Sequence, residues 1–242
     1  MSDSPFLRPT LVPEPNPAVV FPELIEIHPP RLQIAESAWL HSRGKRIFDL
    51  VFTAVVLPFA LPLFLLIPAA ILLESRGPIC FQHRRLGRNG RMFWMFKFCT
   101  MIDGADVILS QLLDSDPEVR HEFAENYKLK NDPRITRLGR FLRRLSLDEL
   151  PQIFNVIKGE ISWVGPRPIV QPEVKKYGRY APALLRMKPG VTGLWQANGR
   201  SGLAYEERVR LDMEYLSKAS LWLDIKTIVK TLPVVLSRAG AM

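Results

Sequence analysis

The sequence predicts a mainly α-helical α/β protein built as a single membrane-associated domain, and three stretches carry that prediction. One is a long apolar run, Ile47 to Leu73, interrupted by Pro58, Pro62 and Pro68. Another, over 79–98, has a turn marked by Gly87 and Gly90 followed by alternation over Met92–Phe98, which reads as one strand of a β-hairpin or as a membrane-facing aromatic segment. The third is a set of helical stretches from Val107 onward, ending in the amphipathic segment Leu221–Leu236. At 242 residues and 47% hydrophobic composition, the chain can bury one real core and carry extensions. Its net charge of +9 and pI of about 9.8 point to phosphorylated substrates, an anionic membrane surface or nucleic acid. Cys80 and Cys99 are the only cysteines, which excludes a disulfide framework and a paired-cysteine zinc site.

Residues 1–44 hold eight of the 21 prolines and show no sustained apolar period. They read as an extended, poorly ordered tail with local docking through Phe21, Leu24 and Ile25. The tail is not a signal peptide, because the apolar run begins too late and is too long.

Residues 45–76 form the membrane segment. Its 27-residue apolar run would reach ~40 Å as a straight helix, more than the ~30 Å hydrocarbon core requires. That length argues against a buried soluble helix. Basic residues stand on both sides of it: Arg43, Lys45 and Arg46 before, Arg76, Arg84, Arg85, Arg88 and Arg91 after. A straight span would place one of these flanks outside the cytoplasm, against the positive-inside rule. Pro58, Pro62 and Pro68 also free the carbonyls of Ala54, Pro58 and Phe64. A helix that breaks near Leu61–Pro62 and returns to the same face meets both constraints.

Residues 77–242 form the remaining body. The hairpin pairs Ile79–Leu86 with Arg91–Phe98, and its arginines are either a solvated rim or contacts to lipid phosphates. Val107–Leu129 reads as helix broken at Asp116-Pro117. Arg134, Arg137, Arg140, Arg143 and Arg144 recur at helical spacing as a basic stripe with Gly139 as its weak point. That stripe runs into Arg143–Pro168, RRLSLDELPQIFNVIKGEISWVGPRP, where an Asp148–Glu149 pair is followed by a Gly-Pro-Arg-Pro turn. The bland reading makes Ser146 the N-cap of a capping box, with Glu149 at N3 and Pro151 inside the helix. Making Asp148 the N-cap moves Pro151 to N3, where its missing N–H costs nothing. The sequence leaves both registers open. The chemical reading is a carboxylate that attacks phosphorus or holds a metal beside cations that hold phosphate. Further on, Lys188–Arg200 is a loop with tight turns in which Trp195 either packs in the core or faces a ligand. Tyr205–Leu216 is a charged helix. Leu221–Leu236 has Leu221, Ile225, Ile228, Val229 and Leu232 on one side and Lys226 and Lys230 on another, bent or ended by Pro233. It either packs on the core or lies in the membrane interface.

KRIFD at 45–49, the proline-interrupted helix, GPICFQHRRLGRNG at 77–90, NDPRITRLGRFLRRLSLDELPQIFNVIKGEISWVGPRP at 131–168 and PGVTGLWQANGR at 189–200 follow in order. With these motifs the chain resembles the bacterial sugar transferases, the monotopic phosphoglycosyl transferases, from about Lys45 to Ala241. The resemblance implies an enzyme of the bacterial inner membrane with its catalytic domain on the cytoplasmic face. Such an enzyme passes a hexose 1-phosphate from a UDP-sugar to undecaprenyl phosphate, releases UMP and begins exopolysaccharide synthesis. It implies Asp148 as nucleophile, Glu149 as ligand of Mg²⁺, and a re-entrant bend at Pro62 with Pro58 on the same face. Arg167, Lys97, Arg140, Arg143, Arg144 and Arg200 are the candidate phosphate-binding residues. The chain departs from the family pattern at Leu61, where a small residue precedes the bend proline, and at Cys99, where the motif carries arginine.

The competing class is a membrane-anchored basic protein that binds anionic lipid or nucleic acid without chemistry. No helix-turn-helix, zinc or RNA-platform signature supports nucleic acid, and such a protein has no use for the acid pair. A polytopic transferase fails on hydropathy, since only one long apolar run exists. Expected partners are therefore the UDP-sugar, undecaprenyl phosphate and the bilayer. The identity of the sugar, homo-oligomer formation and any downstream glycosyltransferase stay open.

Overall fold

The computed structural model describes residues 7–9, 34–75, 77–126, 129–199 and 203–236. The apolar run folds as α1, a single helix from Arg43 to Ser75. Pro58, Pro62 and Pro68 all lie inside it. The break expected at Leu61–Pro62 is therefore not an interruption of helical structure. A proline removes one backbone hydrogen bond and crowds the preceding turn, which a long helix absorbs by bending while neighbouring bonds persist. Among the described residues, α1 is the one helix long and apolar enough to cross a membrane, and most of its apolar window is exposed, unlike a soluble core helix.

Strand β1 (Leu7–Pro9) runs parallel to β2 (Cys80–Leu86), which pairs antiparallel with β3 (Met92–Phe98) from Cys80↔Phe98 to Leu86↔Met92. The hairpin is where the alternation placed it, and Asn89 and Gly90 take the positive φ that its turn requires. The predicted helix break at Asp116-Pro117 separates α2 (Ala105–Ser115) from α3 (Pro117–Asn126). Asp116 Oδ1 accepts from the amides of Glu118 and Val119, so the residue that ends one helix caps the next. There follow α4 (Arg137–Arg144), α5 (Gln152–Lys158), β4 (Ser162–Val164), α6 (Val174–Tyr177), α7 (Ala181–Arg186), β5 (Gly190–Thr192), α8 (Leu194–Ala197), α9 (Tyr205–Lys218) and α10 (Leu221–Leu236). Strands β4 and β5 are parallel, and the main apolar core lies around them, between α6, α7 and α9. Smaller clusters join α1 to β3 and α4 through Ile67, Ile71, Phe98 and Leu142, and join β3 to α5 through Met95 and Val156.

The root of α1 is tied to the body by polar groups. Lys45 Nζ lies 2.8 Å from Asp224 Oδ2 and also donates to the Val164 carbonyl. Trp39 Nε1 and Tyr215 Oη donate to the same Asp224 carboxylate. Asp49 accepts from Ser162 Oγ and the Trp163 amide, and Trp163 Nε1 donates to Thr53. The last residues before α1 are held as well, with the Ser37 amide donating to the Leu216 carbonyl at 2.9 Å. The docking residues expected earlier in the tail, Phe21, Leu24 and Ile25, lie outside the described residues.

Two readings that the sequence left open are decided, and one expectation changes. Helix α10 turns polar residues inward: Asp224 and Thr227 are buried, while Trp222, Val229 and Leu232 are exposed. It also continues through Pro233. Trp195 is a core residue, with the Arg208 guanidinium 5.0 Å from its ring centre. Arg134 is not part of the basic stripe. It precedes α4 and is buried against Asp132, Nη2 to Oδ2 at 2.6 Å, and this pairing holds the Asp132 carboxyl below its ordinary range although burial, the larger influence, pushes it up.

Helix α9 carries a buried carboxylate, Asp212, which accepts from Tyr177 Oη at 2.8 Å. Burial raises its pKa from 3.8 to about 7, against the lowering by Tyr177. The folded state thus keeps a proton that the unfolded chain releases near 3.8, so stability falls as pH rises from about 4 to 7. Asp212→Asn keeps an acceptor for Tyr177 and removes the titration. It is expected to melt like wild type near pH 4 and to be more stable near pH 8, by an amount on the order of a few kcal/mol, as read from thermal melts.

Candidate active site

The acid pair sits in neither of the two helical registers. Ser146 takes φ 55° and begins a 3₁₀ turn, Leu147–Glu149, without a side-chain cap bond to it. Pro151 then precedes α5, where its missing N–H costs nothing. The capping box fails because the left-handed Ser146 turns the chain between α4 and the acid pair. The outcome is a short turn that presents Asp148 and Glu149 between two helices.

Facing that turn is the hairpin. Lys97 on β3 lies 2.6 Å from Glu149 Oε1 and 3.5 Å from Asp148 Oδ2. Alternation puts Lys97 on the same face as Phe81, its cross-strand partner, and as His83 and Arg85 further along β2. Asn155, fully buried on α5, fixes this juxtaposition: its Oδ1 accepts from the Phe96 amide and its Nδ2 donates to the Trp94 carbonyl. Helix α4 supplies the other side. Thr136 caps it through the Gly139 amide, and Glu74 at the end of α1 accepts from the amides of Arg137 and Leu138. Gly139 is a close-approach position: a Cβ there would meet the Thr100 carbonyl oxygen at 2.1 Å. That contact lets Arg143 Nε reach Thr100 Oγ1 at 2.8 Å.

Asp148 is 7% exposed. Burial raises its carboxyl above the usual carboxylate range and Glu149 adds to this, while Lys97 and Arg143 pull it back. Burial lowers the Arg143 guanidinium, and Asp148 and Asp132 oppose that shift. Arg85 is brought to about 10 by burial and by the neighbouring charge of Arg167, with Glu173 and Glu149 acting the other way. Its Nε is buried without a hydrogen-bond partner. His83 falls to about 4 through burial and the charges of Arg85 and Lys97, so its imidazole is neutral near pH 7.

The structure thus brings Asp148, Glu149, Lys97 and Arg143 together. Arg167 reaches the same region through Arg85, on a turn whose backbone is locked by the Gly165 amide to Thr192 and the Gly190 amide to Pro166. Arg167 makes no ion pair among the described residues. Arg140 and Arg144 are not brought to the acids: Arg140 donates to the Ile135 carbonyl, and Arg144 stays exposed without an ion pair among the described residues. Arg200 lies outside the described residues. At the Cys99 departure, burial raises the thiol, and Arg143 is among the charges acting on it. Sequence reasoning missed Arg85, His83 and Asn155. The signal for the first two was strand alternation with Lys97; nothing in the pattern marked Asn155.

The motifs agree with the comparisons. The family model for bacterial sugar transferases matches residues 40–238. The chain belongs to the bacterial sugar transferase family. Among its relatives in that family is an undecaprenyl-phosphate galactose phosphotransferase of Salmonella typhimurium, 46% identical over 81% of this chain and 41% of that protein. The exopolysaccharide production protein ExoY of Rhizobium meliloti is 43% identical over 82% of this chain and 88% of that protein. An undecaprenyl-phosphate glucose phosphotransferase of Komagataeibacter xylinus is 40% identical over 78% of this chain and 35% of its own length. The chain therefore spans about two fifths of the longer sugar transferases and most of ExoY.

Proposed function

We propose that the chain transfers a hexose 1-phosphate from a UDP-sugar to undecaprenyl phosphate, releasing UMP, through a covalent intermediate on Asp148. The observation that carries this reading is a buried carboxylate held beside Lys97 and Arg143, with Arg85 and Arg167 close by. Buried charge without function is costly, and a carboxylate faced by cations is suited to attack an anionic phosphorus centre. In the first step an Asp148 oxygen bonds to the sugar-linked phosphorus, and the bond to the UMP oxygen breaks with its electron pair leaving on UMP. In the second, a phosphate oxygen of the polyprenyl acceptor bonds to that phosphorus and the Asp148 bond breaks, restoring the carboxylate. Lys97, Arg143, Arg167 and Arg85 offset the negative charge that grows on the phosphoryl oxygens. Two steps at one carboxylate spare the enzyme from bringing two anionic substrates together at once.

The donor set fits Mg²⁺. Among the described residues no group of three or more His, Cys, Asp and Glu gathers, so these residues offer no closed cage. Mg²⁺ takes one or two carboxylates together with substrate phosphates and water, which the Asp148–Glu149 pair matches. Glu149 would hold it, with Lys97 sharing that carboxylate. The bound ion supplies charge screening for the diphosphate.

The membrane reading extends to α1. Contacts with the body recur along it at Lys45, Asp49, Thr53, Phe64, Ile67, Ile71 and Glu74. Crossing a ~30 Å hydrocarbon core takes about 20 residues, and no stretch of that length is free of the body. A helix that enters and leaves on the cytoplasmic face of the inner membrane fits this packing and the basic flanks. The exposed apolar residues of α10 suit the same interface.

Three tests follow from this reading. Single cysteines at Ala38 and Asp106, in a background without Cys80 and Cys99, are expected to resist an impermeant thiol reagent applied from the periplasm; labelling of one alone would establish a straight span. Turnover is expected to stop in excess chelator and return with Mg²⁺, so undiminished activity of metal-free protein would remove the ion from the reaction. Asp148→Asn is expected to fold, insert and release no UMP from UDP-galactose or UDP-glucose. Intact mass of the wild type without acceptor should gain one hexose phosphate, absent from the variant. An adduct on another residue would reassign the nucleophile.

A further inference from the structure

A second cationic site lies away from the acid pair, and the proposed reaction makes no use of it. A cleft of about 220 Å³ opens beside the first turns of α1, lined in part by His41, Arg43, Lys45, Arg46, Arg88 and Lys188. It shares no lining residue with the Lys97–Asp148–Glu149 cluster. Among the described residues Asp49 is the only carboxylate on its wall, and its Oδ1 is already engaged by Ser162 and the Trp163 amide.

The cations differ in how they are matched. Lys45 is paired with Asp224 at 2.8 Å, and His41 lies 2.9 Å from Glu36. Arg46 donates to the Val156 and Ile157 carbonyls, two neutral acceptors that leave its charge without an ion-pair partner among the described residues. Arg43, Arg88 and Lys188 make no ion pair among the described residues. Arg88 Nε is buried with no hydrogen-bond partner. Lys188 is held below its usual pKa by burial and then by Arg46, with Arg88 and Lys45 adding to this and Asp49 opposing it. Arg43, Arg46, Arg88 and Lys188 therefore converge on one polar space without an ion-pair partner among the described residues, an arrangement that a bound anion relieves. Two guanidiniums and an ammonium suit the several oxygens of a phosphate.

We propose that this cleft binds a phosphate group through Arg43, Arg88 and Lys188, at a site separate from Asp148 and Glu149. The cleft stands at the root of α1, just before the apolar run begins at Ile47, which is the depth of lipid headgroup phosphates when α1 is in a bilayer. The lipid source rests on the membrane reading above; the phosphate chemistry does not.

Native mass spectrometry of the full chain, released from detergent micelles doped with phosphatidylglycerol, reads the site directly. Wild type is expected to retain one phosphatidylglycerol per chain. Arg88→Gln combined with Lys188→Gln is expected to retain at least tenfold less, and Lys218→Gln, at an exposed position at the end of α9, to retain as much as wild type. Arg43→Gln tests the same site at an exposed position whose loss leaves the packing intact, and should also lower retention. In a parallel arm inorganic phosphate is titrated and followed by calorimetry. Phosphate binding that disappears in the double variant, without lipid retention in wild type, identifies a soluble phosphate as the occupant. Equal lipid retention and equal phosphate binding in wild type and the double variant would overturn the proposal. UMP release by the same variants reports separately on Asp148 and is expected to be unchanged; its loss along with lipid retention would overturn the separation of the two sites.

Discussion

The seating of α1 on the body hangs on the burial of Lys45 against Asp224. Two charges removed from water cost several kcal/mol each, and attraction offsets that only when every remaining group is satisfied. Here Asp224 also accepts from Trp39 and Tyr215, and Lys45 also donates to the Val164 carbonyl. The pair therefore has one geometry, and it fixes how α1 is rotated against the body. With Lys45 turned inward, Asp49 and Thr53 follow on the same face and meet Ser162 and Trp163. Breaking such a pair on one side typically costs about 3–5 kcal/mol.

From that root the helix reaches the acid pair through a chain of contacts. The inward face ends in Ile67 and Ile71, which pack on Phe98 and Leu142, and in Glu74, which holds the first amides of α4. Helix α4 lies close on Thr100 because Gly139 has no side chain, and Arg143 is thereby placed among the charges that act on Asp148. The other half of the site is independent of α1: Asn155 sets β3, and so Lys97, against α5. The charge environment of Asp148 is where these two supports meet.

Local patterns were legible in the sequence, and faces were not. The hairpin followed from alternation and from Gly87 and Gly90, and the α2–α3 break from Asp116-Pro117, because both depend on neighbours in the chain. The acid pair was visible as a pair, but its turn was not, since the left-handed Ser146 obeys tertiary packing over its own cap preference. The apolar stripe of α10 was read correctly as a stripe, yet periodicity does not say whether a stripe faces the core or a membrane. Asp224 and Thr227 turn inward, so the stripe turns out. Arg134 fell at helical spacing by coincidence, being claimed by Asp132 before the helix begins. Gly139, a weak point by propensity, is required by a contact 39 residues away, which no local rule detects.

The partners that secure α1 are distant in the chain: Lys45 and Asp224 are 179 positions apart, and Arg46 and Val156 are 110 apart. During synthesis at roughly 5–20 residues per second, Asp224 is made some ~10–35 s after Lys45. For that interval the apolar segment exists without the carboxylate that will seat its root. Its charged root must wait in water or among headgroups, while an apolar stretch of such length has every reason to leave the aqueous phase at once. If α1 inserts as proposed above, the order of synthesis offers it the bilayer before it offers Asp224, and the later residues then fold onto a helix already seated in lipid.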